Sequence, residues 1–244
     1  MDYNKPIPTL EFPSIHDFKI DGLDEPLVNL SDYGFLCESQ YFKRGIAGST
    51  KECWARQTVA QKLLEAESKL PTGYRFKIFD AYRPIVVQSI LWSFYRNQVA
   101  AQNKTLTDEE IDKLTTFFVS KPSYDIEHPS LHNTGGAIDL TIVDNDNQEL
   151  NMGSQFDEFS DRAWSNHFEV YEKNEEIRNN RRLLYNVMLS SDFTNLPSEW
   201  WHYDYGTKFW GYFKNTNALY RGLINFDGVE TLKVNGLLDK KLNS

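Results

Sequence analysis

Five histidines occur in the 244 residues, and two of them sit with carboxylates at spacings that suit a metal ion. His132 lies in Ser130-Leu131-His132-Asn133-Thr134-Gly135-Gly136-Ala137-Ile138-Asp139. The paired glycines let the backbone turn tightly, so a loop imidazole and the Asp139 carboxylate can converge on one point. His202 closes Glu199-Trp200-Trp201-His202. Two imidazoles and one carboxylate form a catalytic zinc site that leaves a fourth position for water. His132, Asp139 and His202 are therefore the expected ligands of one Zn2+ per chain. Glu199, beside the ion without binding it, can take a proton from the attacking water and pass it to a leaving amine. Arg83, in Asp80-Ala81-Tyr82-Arg83-Pro84, offers a positive fork to an oxyanion, a task worth roughly 3–4 kcal/mol in comparable donor deletions. Singly, each residue has a plainer reading: a solvated loop histidine, a turn-capping aspartate, an ordinary ion pair, core tryptophans. It is their joint spacing that favours chemistry.

The elements that must position them are legible in outline. Residues 50–70 carry a helical stripe through Val59, Ala60, Leu63, Leu64 and Ala66, stopped at Pro71-Thr72-Gly73. Tyr74 to Phe79 alternates like a half-buried strand. Pro84 then opens a helix to about residue 100. Thr107-Asp108-Glu109-Glu110 is a capping-box pattern for a helix through Phe118. Ala137 to Val143 reads as a strand, Asp144 to Asn147 as a turn, and residues 174–191 as an amphipathic helix. Glu199 to Tyr203 reads as a short aromatic strand. There, a spacing of three sends Glu199 and His202 to opposite faces, so a kink or bulge at Trp200-Trp201 is required. Helices and strands in this irregular order predict an α+β fold, a single domain with an antiparallel sheet flanked by helices. Residues 1–30 read as an N-terminal arm, 31–215 as the domain and 216–244 as a C-terminal extension.

Composition narrows the partners. A formal charge of −9 without basic stripes argues against nucleic acid and anionic membrane surfaces. No apolar run approaches the ~18 residues of a membrane span. The N-terminus shows no basic region followed by an apolar one, so a cytoplasmic location is expected, or a periplasmic or secreted one if a leader was removed. Cys37 and Cys53 have no metal-type spacing and read as reduced thiols. His128 precedes Pro129 in a glycine-rich loop and is set aside as a ligand, while His16 and His167 read as surface residues. No feature bears on oligomeric state.

The two motifs, Ser-x-His-x-x-Gly-x-Ala-x-Asp at 130–139 and Glu-x-Trp-His at 199–202, resemble the signatures of the zinc D-Ala-D-Ala metallopeptidases. The dipeptidase branch of vancomycin-resistance type is the most similar, through Asp80 to Pro84, Met152-Gly153-Ser154-Gln155-Phe156-Asp157 and Asn180-Arg181-Arg182-Leu183-Leu184. The ordered resemblance covers roughly residues 50–205. It implies the fold of the hedgehog-type zinc domains, zinc on His132, Asp139 and His202, Glu199 as base and Arg83 at the oxyanion. It further implies that Asp157 receives the substrate's ammonium group, that Ser130 lies near its carboxylate, and that Asp80 orients Arg83 or a ligand. The sequence departs from the family between Tyr33 and Gly48. Gln40-Tyr41-Phe42-Lys43-Arg44-Gly45 replaces an Asn-Phe-Thr/Ile-Gly-like stretch, and Leu36 falls where a tyrosine helps hold the amine.

The expected activity is therefore hydrolysis of D-Ala-D-Ala or a similar small D-amino-acid dipeptide. The rivals are a D,D- or L,D-carboxypeptidase or endopeptidase on peptidoglycan stem peptides, and a catalytically inactive zinc binding module. The retained Glu199 and Arg83 weigh against the last, since a structural zinc site needs neither.

Overall fold

The computed structural model describes residues 2–224 except 12, 14, 16, 17, 117 and 118. In chain order the strands are β1 (Leu27–Asn29), β2 (Leu36–Cys37), β3 (Trp54–Arg56), β4 (Arg75–Asp80), β5 (Ala137–Val143), β6 (Thr194–Asn195) and β7 (His202–Asp204). The helices are α1 (Gln40–Lys43), α2 (Gln57–Glu67), α3 (Ile85–Gln102), α4 (Asp108–Thr115), α5 (His167–Val170), α6 (Glu175–Ser190) and α7 (Lys208–Lys214). The α+β reading is met. Five strands form one sheet in the order β2-β4-β5-β7-β6, and its edge strand β2 runs parallel to β4 while the other pairs are antiparallel. A small β1–β3 ribbon lies apart from it.

Strand β5 is buried along its whole length, so its two faces do different work. Ile138, Leu140 and Ile142 join Phe76 and Ile78 of β4 in a core with Val59, Ala60 and Leu63 of α2 and Leu184, Val187 and Met188 of α6. Each of these side chains except Ala60 contributes about 1.5–3 kcal/mol when fully buried. The alternate residues of β5, Asp139 among them, face the other way. Between Ile78 and Asp80 the register with β5 slips by one, so Asp80 pairs with Asp139 where an unbroken ladder would give Ile138. That bulge turns the end of β4 from the core to the polar side.

Two details differ from the sequence reading. Only His202–Asp204 is strand; Glu199 sits in a tight turn closed by the His202 amide on the Glu199 carbonyl at 3.3 Å. A turn, and not a bulge within a strand, therefore brings Glu199 and His202 to the same side. Residues 216–223 pack onto the domain: Ala218 and Tyr220 are fully buried, and Ile20 of the arm bridges Ala218. The capping box at Thr107 and Glu110 is formed; Phe118, where the sequence carries that helix, lies outside the described residues, as does the chain beyond 224. Cys37 and Cys53 are free thiols.

Arg181 of α6 shows how the loop 152–164 is held. The residue is 2% exposed, and its guanidinium donates to the carbonyls of Met152, Arg162 and Trp164, with no carboxylate among these partners. Burial without a counter-ion pulls its pKa down to about 9. Replacing it with methionine strands three carbonyls, and unmet buried polar groups cost about 1–3 kcal/mol each. Arg181→Met is expected to lose about 3–5 kcal/mol in urea unfolding, from the stranded carbonyls; a loss under about 1 kcal/mol refutes this account of the loop.

Candidate active site

Cross-strand register assembles the centre. Asp80, Asp139 and His202 are successive partners across β4, β5 and β7. His132 joins them from a single 3-10 turn, Leu131–Thr134, which ends at Gly135 with φ +74°, a backbone state costly for any residue with a Cβ. Gly136 follows because a Cβ there would stand 2.5 Å from the Tyr205 carbonyl oxygen.

His132, Asp139 and His202 are all buried, and their ligand atoms converge. His132 Nε2 and His202 Nδ1 lie 3.1 Å apart; Asp139 Oδ1 is 3.1 Å from the latter and 3.3 Å from the former. Bonds of 2.0–2.1 Å to a tetrahedral ion place ligand atoms about 3.3–3.4 Å apart, so the triangle has the right size. The outer nitrogens settle which atoms carry protons. His132 Nδ1 is 2.8 Å from the Ala81 carbonyl oxygen, which only accepts, and His202 Nε2 is 2.9 Å from Asp204 Oδ2. With those protons outward, both inner nitrogens of neutral rings present lone pairs to each other and to Asp139. Three acceptors at contact distance are reconciled by a metal ion between them or, without one, by a proton on His202 Nδ1. The same demand appears as proton affinity: burial opposes charge on His202, yet Asp204 and Asp139 hold its pKa well above the usual range. Asp139, despite its burial, is held far below the carboxylate range by His132 and His202. The residues thus fit a metal ion.

Glu199 stands at the rim, its carboxylate 3.8 Å from His202 Nδ1 and its side chain 25% exposed. Protein crowds it on the remaining sides, and that desolvation raises its pKa to about 7, against the pull of His202. Such a group is poised to exchange protons near neutrality. Arg83 is fixed on every arm: Nε to Asp80 at 2.9 Å, Nη1 to Gln88 Oε1 at 2.9 Å, and Nη2 to the Tyr41 hydroxyl at 3.2 Å. Nη2 also lies 3.5 Å from Asp139 Oδ2, so the guanidinium borders the metal-ready triangle. Asp80 touches both Arg83 and, at 3.4 Å, His132 Nδ1.

A small cavity joins these groups, and Ser130, Asp157 and Glu199 all line it. Asp157 has φ +61°, in a tight turn after Phe156. It accepts from the Tyr41 hydroxyl at 3.2 Å and from Arg44 at 2.7 Å. Sequence reasoning missed Tyr41 and Gln88. Tyr41 comes from the stretch that departs from the family, and Gln88 is a buried polar residue one turn into α3; the latter pattern was a usable signal. His128 bonds Asp125. His167, expected at the surface, is buried and pairs with Glu172 at 3.0 Å because α5 packs it inward. His16 lies outside the described residues.

Comparison with known proteins adds ancestry to this geometry. A family model described as D-ala-D-ala dipeptidase matches residues 32–218. A D-alanyl-D-alanine dipeptidase of Synechocystis sp. is 27% identical over 234 residues, 87% of this chain and 92% of that protein. Another from Enterococcus faecium is 35% identical over 151 residues, 59% of this chain and 69% of that one. Among solved structures, VanYB in complex with D-alanine-D-alanine matches 81% of this chain and 88% of its own, with a TM-score of 0.44 and 14% identity. The chain is a metallopeptidase. It belongs to the D-Ala-D-Ala dipeptidase family. Among the described residues no helix is long and apolar enough to cross a membrane.

Proposed function

We propose that this protein is a zinc-dependent dipeptidase acting on D-Ala-D-Ala or a similar small D-amino-acid dipeptide. The observation that carries the reading is the triangle of buried lone pairs on His132, Asp139 and His202, with Glu199 beside it. Two imidazoles and one carboxylate are a donor set suited to catalytic zinc. Bound there, the ion would supply Lewis acidity. Glu199 takes a proton from the attacking water and returns it to the leaving amine as the peptide bond breaks. The Arg83 guanidinium, immobilised by Asp80, Gln88 and Tyr41, faces the developing oxyanion without having to reorganise. Asp157 takes the substrate's ammonium group and Ser130 lies by its carboxylate, so both charged ends of a small zwitterion meet polar partners in the cavity.

The test is a panel of D,D-, L,D- and L,L-dipeptides offered to the purified protein with one equivalent of zinc. Release of D-alanine from D-Ala-D-Ala is expected, with little hydrolysis of L-Ala-L-Ala. Failure to cleave any member by a protein shown to carry zinc would sink the reading.

A further inference from the structure

The two cysteines stand at the two ends of one segment. Cys37 is the last residue of β2, and Cys53 comes immediately before β3. Between them, residues 38–52 leave the sheet, form α1 and return. That excursion carries Tyr41, which bonds Arg83 and Asp157, and Arg44, which bonds Asp157. Its ends are drawn together. The Ser39 hydroxyl donates to the Thr50 carbonyl at 2.7 Å, and the Leu30 amide donates to the Cys53 carbonyl at 2.9 Å. Ser31 follows Leu30 into the same corner, and the sulfurs meet there. The Cys53 thiol, the Cys53 amide and the Ser31 hydroxyl all hydrogen-bond the Cys37 sulfur. Cys37 is half-buried against the main core and Cys53 is 3% exposed within it. Donors converging on one sulfur favour its thiolate: the bonds from Cys53 and Ser31 lower the Cys37 pKa in spite of burial. Cys53, bonded to Cys37 and buried, is pushed well above the thiol range. The pair thus divides into an attacking thiol near the surface and a sheltered one behind it.

We propose that Cys37 and Cys53 are a redox modification site, which a low-molecular-weight disulfide oxidises to a bond that clasps the base of segment 38–52. The Cys37 thiolate attacks one sulfur of the small disulfide and displaces the other half as a thiolate. Cys53 then loses its proton to solvent, and its sulfur attacks Cys37 Sγ and expels the second half. Two protein thiols are oxidised, and one small disulfide is reduced to two thiols that take up the protons released. The new bond restrains the excursion that brings Tyr41 and Arg44 to the cavity, whatever substrate the cavity takes.

The experiment incubates the zinc-loaded protein with oxidised glutathione, alkylates what thiol remains and weighs the intact chain. The wild type is expected to lose both alkylation sites, to carry no glutathione and to weigh less than the reduced chain by two hydrogen atoms. Cys53→Ala stops at one glutathione on Cys37, and Cys37→Ser takes up none because Cys53 is sheltered. The oxidised wild type melts roughly 5–10 °C above the reduced one, as closure of a loop of about 15 residues predicts. Two thiols still open to alkylation, glutathione retained on the wild type, or disulfide-linked dimers would each overturn the proposal. An oxidised chain that melts no higher than the reduced one overturns the clasp. The wild type alone decides these outcomes should a variant fail to fold.

Discussion

Glu199→Gln is expected to lower kcat by about 10²–10⁴-fold, the range for loss of a positioned general base, while zinc content and thermal stability stay at wild-type values. The amide keeps the shape of the side chain but cannot accept the proton. Glu199 is not one of the three convergent ligands and stands 3.8 Å from His202 Nδ1, so its neutralisation leaves the metal-ready triangle whole. A 10³-fold loss corresponds to about 4 kcal/mol of transition-state stabilisation. Steady-state kinetics on D-Ala-D-Ala, beside metal analysis of the same sample, separates this from a folding defect. Undiminished hydrolysis by the variant would remove Glu199 from the reaction and leave the proton transfer to another group.

Removal of the metal has the other large effect. Exhaustive chelation is expected to abolish hydrolysis, and one equivalent of zinc to restore it, whereas His202→Ala stays inactive at any practical zinc concentration. Stability follows in the same direction. An ion that binds only the folded chain stabilises it by about 2.7 kcal/mol when present at 100 times its dissociation constant. The apo protein also retains two imidazoles and a carboxylate at 3.1–3.3 Å, an arrangement that must take up a proton or relax. A lower melting temperature after chelation, recovered on adding zinc, checks both parts. Activity persisting in metal-free protein, or an unchanged melting temperature, contradicts the assignment of His132, Asp139 and His202.

The elements were readable where periodicity or capping was strong. Strand β5, helix α6 and the capping box at Thr107 fall close to where the pattern of apolar residues puts them. The three convergent residues were readable because histidine is scarce and their motifs are ordered along the chain. What the sequence could not display was parity. Nothing in Phe79-Asp80 announces a bulge, and the irregularity required between Glu199 and His202 gives no sign that it is a turn, yet those two features decide which side chains share a face. Tyr41 and Arg44 escaped for a different reason. They reach Asp157 across 116 and 113 positions of chain, and no local periodicity encodes a contact of that range.

The order of the sheet also governs when the centre can come into being. Strand β7, which carries His202, lies between β5 and β6, so it is laid down as an interior strand and not added at an edge. Asp139 and His132 precede it in the chain, and their proposed third partner arrives only with β7, the last strand among the described residues. During synthesis, therefore, the proposed ligand set is complete only after β7 has been made. If zinc binds there, its release is expected to require opening between β5 and β7 and not fraying of an outer strand.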